Sequence, residues 1–162
     1  MKPAISISIE DAAWKAIPHL TKMTKRAITA CIDETNYRSR AGSELSILLC
    51  GDARMRELNN SWRGIDKPTN VLSFPLADVG GESLLGDIAI AYQTLDREAR
   101  LEDKTFSDHY LHLIVHGFLH LLGFDHETDD EAEQMEACET RTLARLAVAD
   151  PYSETPKIKG SA

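Results

Sequence analysis

The chain of 162 residues has the length of one domain. With 43% apolar and 27% charged residues it has a globular composition, which excludes disordered and fibrous classes. Its formal net charge of −8 weighs against a nucleic-acid partner, because phosphate binding usually requires a basic surface. That charge is local, since residues 125–139 hold eight acids and no Lys or Arg, whereas residues 1–70 carry 11 bases against 8 acids.

The distribution of apolar residues predicts neither a signal peptide nor a membrane-spanning segment. No run at the N-terminus is long enough for a signal peptide, and no stretch approaches the roughly 20 apolar residues of a membrane span. The three cysteines, Cys31, Cys50 and Cys138, are far apart and lack a CxxC pair, so we expect small buried thiols in a reducing cytosol. We therefore expect a cytoplasmic protein that does not contact a membrane.

The first half of the chain predicts two strands and two helices. Residues 5–9 alternate Ile with Ser, which is typical of a half-buried strand, and residues 45–50 form a second, more apolar strand. A helix is predicted over residues 18–35, with Pro18 tolerated near its first turn. Asp52 is expected to cap the next helix. The apolar side of that helix is predicted to consist of Met55, Leu58 and Trp62.

Short strands and loops follow. Residues 63–68 are a predicted loop because of their Gly and Pro, and residues 77–83, which contain Gly80 and Gly81, are predicted to be a flexible loop. Residues 71–74 form a short strand that Pro75 ends, and residues 87–91 form the fourth strand.

The second half is predicted to be mainly helical. A polar helix over residues 93–102 precedes an apolar helix over residues 107–122, which we expect to be buried and to end at Gly123. Residues 128–131 form a capping box that opens a last helix reaching about residue 148. The buried positions of that helix are expected to be Met135, Cys138, Thr142 and Leu146. We predict one α+β domain over residues 1–150 and a polar tail over residues 151–162.

Five of the six histidines fall between positions 109 and 126. His116 and His120 are four residues apart, so on a helix they share one face, and His126 follows the break at Gly123. Three imidazoles with an open fourth position are the usual arrangement of a catalytic zinc site. The spacing predicts a metal centre on His116, His120 and His126, with zinc favoured and nickel, copper or iron as alternatives.

The other histidines are weaker candidates. His109 and His112 are expected to be satisfied structural residues, with His112 also placed to support a ligand one turn away. The pattern resembles the zinc-protease motif, but Gly117 stands where that motif has its catalytic Glu. The site is therefore predicted to bind a metal without the helix-borne base of a peptidase.

Residues 116–126 read HGFLHLLGFDH. This stretch resembles the metal motif of the YbeY family of metal-dependent endoribonucleases, with Phe124 in place of the family's Tyr. Residues 62–75 (WRGIDKPTNVLSFP), residues 85–88 (LGDI), the acidic run and residues 150–152 (DPY) also match, so the resemblance covers about residues 45–152.

The resemblance implies a fold, an activity and a set of residues. It implies a small mixed sheet with a zinc-protease-like helix and cleavage of single-stranded RNA. The setting it implies is 3′-end maturation of 16S rRNA and ribosome quality control, with the small ribosomal subunit and its proteins as partners. The metal ligands carry over to His116, His120 and His126, and the invariant arginine to Arg63.

The resemblance and the chemistry of these side chains together imply a mechanism, whereas the position of Arg63 alone would favour a solvated loop arginine. Zinc is expected to act as Lewis acid at His116 and its two partners, with Arg63 as the second positive contact on the scissile phosphate. Lys67 is a weaker phosphate-binding candidate. Asp87 is expected to orient a ligand or bond loop amides, and Trp62 is expected to lie in the core rather than stack on a base. The nucleophile, water or the 2′-hydroxyl of RNA, stays open.

Two other functions fit the same residues. One is another zinc hydrolase of the metallopeptidase type, and the other is a non-catalytic ribosome-assembly factor with a structural metal. In the RNA-binding interpretations, the basic helix around Lys22 and Arg26 is a candidate RNA-facing surface. The acidic run is expected to favour its helix dipole and otherwise to form a solvated face.

Overall fold

The predicted strands assemble into one four-stranded mixed sheet. The computed structural model describes residues 3–38, 43–76 and 85–152. The strands are β1 (Ala4–Ile9), β2 (Glu44–Cys50), β3 (Val71–Pro75) and β4 (Leu85–Ala91). They lie in the order β1-β2-β4-β3, in which β2 is parallel to both neighbours and β3 is antiparallel to β4. In the described part of the chain, β1 and β3 are therefore the edges of the sheet.

Five α-helices cover this sheet and confirm the predicted α+β class. They are α1 (Leu20–Thr35), α2 (Asp52–Arg63), α3 (Tyr92–Leu101), α4 (Phe106–Leu121) and α5 (Asp129–Arg145). The larger core cluster joins α1, α4 and α5 to one face of the sheet, and a smaller cluster joins α2 to the other. Helix α4 is buried between the sheet, α1 and α5, as its apolar sequence predicts.

The start of the chain differs from the prediction. Helix α1 begins at Leu20, because His19 has a left-handed backbone with φ of 58° and Pro18 lies outside the helix. A short 3₁₀ helix at Ala12–Ala16 precedes it and buries Trp14, whose indole N–H donates to the Cys50 carbonyl at 2.9 Å. A single helical turn of this kind carries too little periodicity to be predicted.

Asp52 caps a different helix from the one expected. The N-cap of α2 is Gly51, and Asp52 is the first helical residue. The Asp52 carboxylate instead accepts hydrogen bonds from the backbone N–H and hydroxyl of Thr94, at 3.1 and 2.7 Å, and from Arg97 at 3.0 Å. It thereby satisfies the first turn of α3.

The ends of α4 and α5 follow the predicted signals. Gly123 has a φ of +102° and donates its N–H to the His120 carbonyl, as a glycine that ends a helix does. Thr128 and Glu131 form the predicted capping box of α5. Helix α5 ends at Arg145, three residues before the predicted end. All four predicted interior positions are buried, namely Met135, Cys138, Thr142 and Leu146.

The structure also bears on the predicted loop, the C-terminal segment and the cysteines. The predicted loop over residues 77–83 lies outside the described residues, as does the predicted tail beyond Tyr152. Pro151 and Tyr152 belong to the described structure, and Tyr152 packs back onto the domain. The three cysteines are buried and free, as predicted. Among the described helices, none is long and apolar enough to cross a bilayer.

We predict that Gly86→Ala destabilises the sheet by roughly 2–3 kcal/mol in urea unfolding. A Cβ at Gly86 would overlap the Phe74 carbonyl oxygen and approach the Pro75 Cα to 2.9 Å. These are backbone atoms of the paired strand β3, so they cannot rotate away. The matched control is the neighbouring exposed residue, as Asp87→Ala, which we expect to change stability by less than about 0.5 kcal/mol. Equal stabilities for the two variants would contradict the close pairing of β3 with β4.

Candidate metal centre

Three imidazoles converge where α4 ends. His116 and His120 lie one turn apart on α4, with ring centroids 4.7 Å apart. The turn at Gly123 brings His126 back, with its ring centroid 5.9 Å from that of His116 and 5.2 Å from that of His120. One ring nitrogen from each residue lies within 4.8 Å of the other two. The geometry therefore brings together the three residues that the sequence predicts as ligands.

Hydrogen bonds fix the orientation of two of these rings. His116 donates its Nδ1–H to Oε2 of Glu139 at 2.6 Å, and His120 donates its Nδ1–H to the Phe124 carbonyl at 2.9 Å. Each bond holds the proton on Nδ1 and leaves the lone pair of Nε2 free, which is how metal-binding histidines are usually supported. The donor chemistry of this cluster fits a zinc ion or another imidazole-preferring metal.

Glu139 is the residue that organises this network. Its side chain is fully buried, and it accepts hydrogen bonds from His116, from His112 Nε2–H at 3.0 Å and from the Tyr152 hydroxyl. Burial alone raises the pKa of Glu139, but these hydrogen bonds outweigh burial and lower the pKa to about 2. The carboxylate is therefore ionised at neutral pH and holds three donors in place.

The prediction that the acidic run is a solvated face is wrong for Glu139. A signal for its burial is present in the sequence, because Glu139 lies four residues after Met135 and three before Thr142, on the predicted interior face of α5. A buried acid on an otherwise apolar face requires a partner. The identity of that partner depends on how α5 packs on α4, which the local pattern does not specify.

His120 is kept neutral by its surroundings. Burial lowers the pKa of His120, and the neighbouring His116 and His126 lower it further. A neutral imidazole with its Nδ1 proton held by Phe124 offers an unprotonated Nε2. His126 is the exposed member of the cluster, and its backbone N–H donates to the Asp125 carboxylate at 2.8 Å.

His109 and His112 support neighbouring carboxylates through Nε2, but the prediction that they are satisfied is wrong for Nδ1, which in each is buried without a hydrogen-bond partner among the described residues. His109 is 3% exposed and donates its Nε2–H to Glu98 at 2.8 Å, and Glu98 also accepts from Asn70 at 3.0 Å. His112 donates to Glu139. Together with Glu139 and His116 it forms a second group whose ligand atoms lie close together. Because protons occupy both short contacts in that group, we interpret it as the support of the first cluster rather than as a metal site.

Gly117 lies against the sheet. A Cβ at this position would approach Ile88 Cγ2 and Ser73 Oγ to 3.2 Å each, and the Ser73 hydroxyl donates to the Gly117 carbonyl at 3.0 Å. The absence of a side chain here lets α4 pack closely on β3 and β4. A glutamate at this position, as in the protease motif, would have to displace that packing.

The predicted phosphate-binding residues lie on the connection between α2 and β3. Arg63 is the last residue of α2 and Lys67 lies four residues later, and both are exposed. Neither side chain forms a hydrogen bond or an ion pair with any residue the structure describes. Asn59 donates to the Lys67 carbonyl at 2.8 Å, and Arg56 makes a two-bond ion pair with Asp66, so the connection itself is anchored.

Two weaker expectations do not match the structure. Trp62 was expected in the core, but it lies in the last turn of α2 and is 71% exposed. Asp87 is exposed on β4 and does not belong to either group of potential metal ligands among the described residues. The basic residues Lys22, Lys25 and Arg26 are exposed on α1, which leaves their predicted role open.

The fold and the site define a small α+β protein with three convergent histidines at the end of its buried helix. The family model for Endoribonuclease YbeY matches residues 7–147. A relative from Methylocella silvestris, named Endoribonuclease YbeY, is 47% identical over 155 residues, which cover 95% of this chain and 88% of the relative. One of the same name from Bradyrhizobium diazoefficiens is 47% identical over 161 residues, covering 95% and 87%.

A solved structure agrees with this match. The solution structure of a Thermotoga maritima protein superposes with a TM-score of 0.56 at 25% identity, covering 93% of this chain and 99% of that chain. The chain therefore belongs to the YbeY endoribonuclease family.

We predict that Glu139→Gln lowers the unfolding free energy of the metal-free protein by about 3 kcal/mol at pH 7. The native pKa of Glu139, about 2, is below its ordinary value of 4.5. The stability contributed by the carboxylate is therefore fully present above about pH 4.5 and is lost as the pH falls through about 2. In urea unfolding, the difference between wild type and variant should shrink by about half or more at pH 3.

The control is Glu133→Gln, an exposed acid on the same helix, which should stay within about 0.5 kcal/mol of wild type at both pH values. A difference between Glu139→Gln and wild type that does not change with pH would contradict an ionised, hydrogen-bonded Glu139.

Proposed function

We propose that this chain is a zinc-dependent endoribonuclease that cleaves single-stranded RNA in the cytoplasm. Membership of the family supports the reaction class, since its relatives carry the name Endoribonuclease. We propose 3′-end maturation of 16S rRNA and ribosome quality control as its setting, with the small ribosomal subunit and its proteins as partners. The three buried free thiols accord with a reducing compartment.

The observation that carries this proposal is the convergence of three imidazoles with supported orientations. His116 and His120 have their Nδ1 protons engaged, and His126 lies exposed at the same point. Such a set of three neutral nitrogen donors leaves a further coordination position for water or substrate, which is typical of catalytic rather than structural zinc. A zinc ion held by His116, His120 and His126 would supply Lewis acidity toward a phosphodiester.

The residues of the chain itself then have distinct roles. Glu139 and the Phe124 carbonyl keep protons on the Nδ1 atoms, so that the Nε2 lone pairs stay available. Arg63 is proposed to hold two phosphate oxygens with its planar guanidinium and to stabilise negative charge as it develops. Lys67 is proposed to add a second phosphate contact. Both cations lack a protein partner among the described residues, which leaves them available to an anion.

Gly117 favours the nuclease over a peptidase. In the protease motif the residue after the first histidine is the general base. Here that residue has no side chain, and a Cβ in its place would meet Ile88 and Ser73 of the sheet. The helix therefore provides metal ligands without the carboxylate that activates water in those proteases.

We predict that the metal-loaded chain cleaves an end-labelled single-stranded RNA and leaves a duplex of the same sequence intact. His116→Ala should remove both the bound metal and the cleavage. Arg63→Ala should keep the metal and lower kcat by about 10²–10³-fold, as the loss of a transition-state charge contact does. The matched control is Arg54→Ala, an exposed arginine of the same helix, which should stay within about twofold of wild type.

Metal content is measured on each untagged variant, and zinc is expected at one ion per chain in wild type and Arg63→Ala. Equal cleavage by all variants would indicate a contaminating nuclease and contradict the assignment. Full activity after chelation would contradict metal dependence. Normal 16S rRNA 3′ ends in cells that carry only His116→Ala would favour a non-catalytic assembly factor instead.

A further inference from the structure

Trp62 is an exposed aromatic side chain that does not belong to the candidate metal centre. Its side chain is 71% exposed, whereas the other tryptophan, Trp14, is fully buried. Phe74 of strand β3 lies beside it, with ring centroids 5.6 Å apart and the ring planes tilted by 54°. Phe74 in turn packs on the smaller core cluster, so Trp62 rests on a fixed support with most of its surface free. Leaving so large an apolar surface in water is unfavourable unless a ligand covers it.

The segment that carries Trp62 is anchored on both sides. Asn59, itself buried, donates to the Lys67 carbonyl at 2.8 Å, and the Gly64 N–H donates to the Asn60 carbonyl at 3.0 Å. The Arg56 guanidinium bonds both oxygens of Asp66, at 2.7 and 3.0 Å. The indole is therefore presented by a preorganised connection, which lowers the entropy cost of binding.

The charges around Trp62 favour an anionic ligand. Arg63 directly follows Trp62 and Lys67 lies five residues after it; neither cation forms an ion pair with a described residue, while Asp66 is engaged by Arg56. Residues 67–76 contain no acid. An aromatic surface close in sequence to cations without an ion-pair partner among the described residues suits single-stranded nucleic acids, whose bases stack on the ring and whose phosphates pair with the cations.

Strand β3 connects this surface with the histidines. Ser73 contacts the carbonyl of Gly117, the residue next to His116, and Phe74 is the following residue. Successive side chains of a strand point to opposite faces, so Phe74 and Trp62 lie on the face away from α4. Because β3 is the edge strand, an RNA strand that crosses this edge passes from one face to the other.

We propose that Trp62, supported by Phe74, is a stacking platform for a base of single-stranded RNA that crosses the β3 edge, with Arg63 and Lys67 on phosphates of the same strand. The inference rests on the proposed function for its substrate class. It gives a physical reason for single-strand specificity, because the bases of a duplex are already stacked and cannot lie on an indole. It also gives a reason for an apolar residue at position 62, which the helical pattern predicts to be buried but which is exposed.

The test uses the full chain, kept metal-free with a chelator so that the RNA stays intact, and a ten-nucleotide fluorescein-labelled oligoribonucleotide. Trp62→Ala should weaken binding by about 5- to 100-fold, whereas Trp62→Phe and Trp62→Tyr should retain affinity within about threefold. The control is Leu101→Ala, which removes another highly exposed apolar side chain, and it should bind as wild type does. Unlabelled RNA should quench the tryptophan fluorescence of wild type but not of Trp62→Phe, whose remaining Trp14 is buried.

The outcomes separate this inference from the proposed activity. Cleavage by the metal-loaded enzyme with equal RNA affinity for wild type and Trp62→Ala would overturn the platform and leave the nuclease assignment intact. Quenching of Trp62 without cleavage would support the platform and contradict the activity. If neither binding nor cleavage occurs, both fail, and the Trp62–Phe74 surface is then assigned to a protein partner.

Discussion

A single buried carboxylate links the architecture of this protein to its candidate metal centre. Glu139 on α5 is fully buried, and it holds His112 and His116 of α4 and Tyr152 from the chain that follows α5. Removing a carboxylate from water is costly, and only the three hydrogen bonds compensate for that cost. The same contacts that keep α5 against α4 therefore fix the imidazole of His116, so the packing of two helices and the geometry of the site cannot be changed independently.

The acids that give the chain its net negative charge do not all have the same environment. Of the eight acids in residues 125–139, Glu139 is the buried one; most of the others are exposed, and three of them lie in the first turn of α5. The three acids of that first turn favour the helix dipole. Arg63 and Lys67 have no ion-pair partner among the described residues. A net charge of −8 is thus compatible with an RNA substrate, because the acidity is concentrated in residues 125–139, whereas residues 1–70 carry 11 bases against 8 acids.

The sequence predicts those features that depend on local patterns. The buried α4, the ending at Gly123, the capping box at Thr128 and the three candidate ligands all follow from spacing within a few residues, and the structure brings the ligands together. What it does not predict depends on distant packing. The partner of Glu139 is 23 residues away in the case of His116, and Asp52 caps a helix that begins 40 residues later.

Trp62 shows the limit of periodicity most clearly. Its spacing after Met55 and Leu58 predicts a core position, yet Met55 is fully buried and Trp62 is 71% exposed. Helical spacing specifies which face a residue occupies, but not whether a neighbour extends far enough to bury it. Such a position, apolar by pattern and exposed in the fold, is where a binding function is to be sought.

Glu139 and the Phe124 carbonyl hold His116 and His120 with protonated Nδ1 and free Nε2. Two-bond proton–nitrogen correlation spectra of the imidazoles, recorded before and after one equivalent of zinc, test it directly. We expect both residues in the Nδ1–H form without metal, and zinc-induced shifts at Nε2 of His116 and His120 and at a ring nitrogen of His126. A proton on Nε2 of His116, or zinc shifts at His112 in place of His126, would contradict the account.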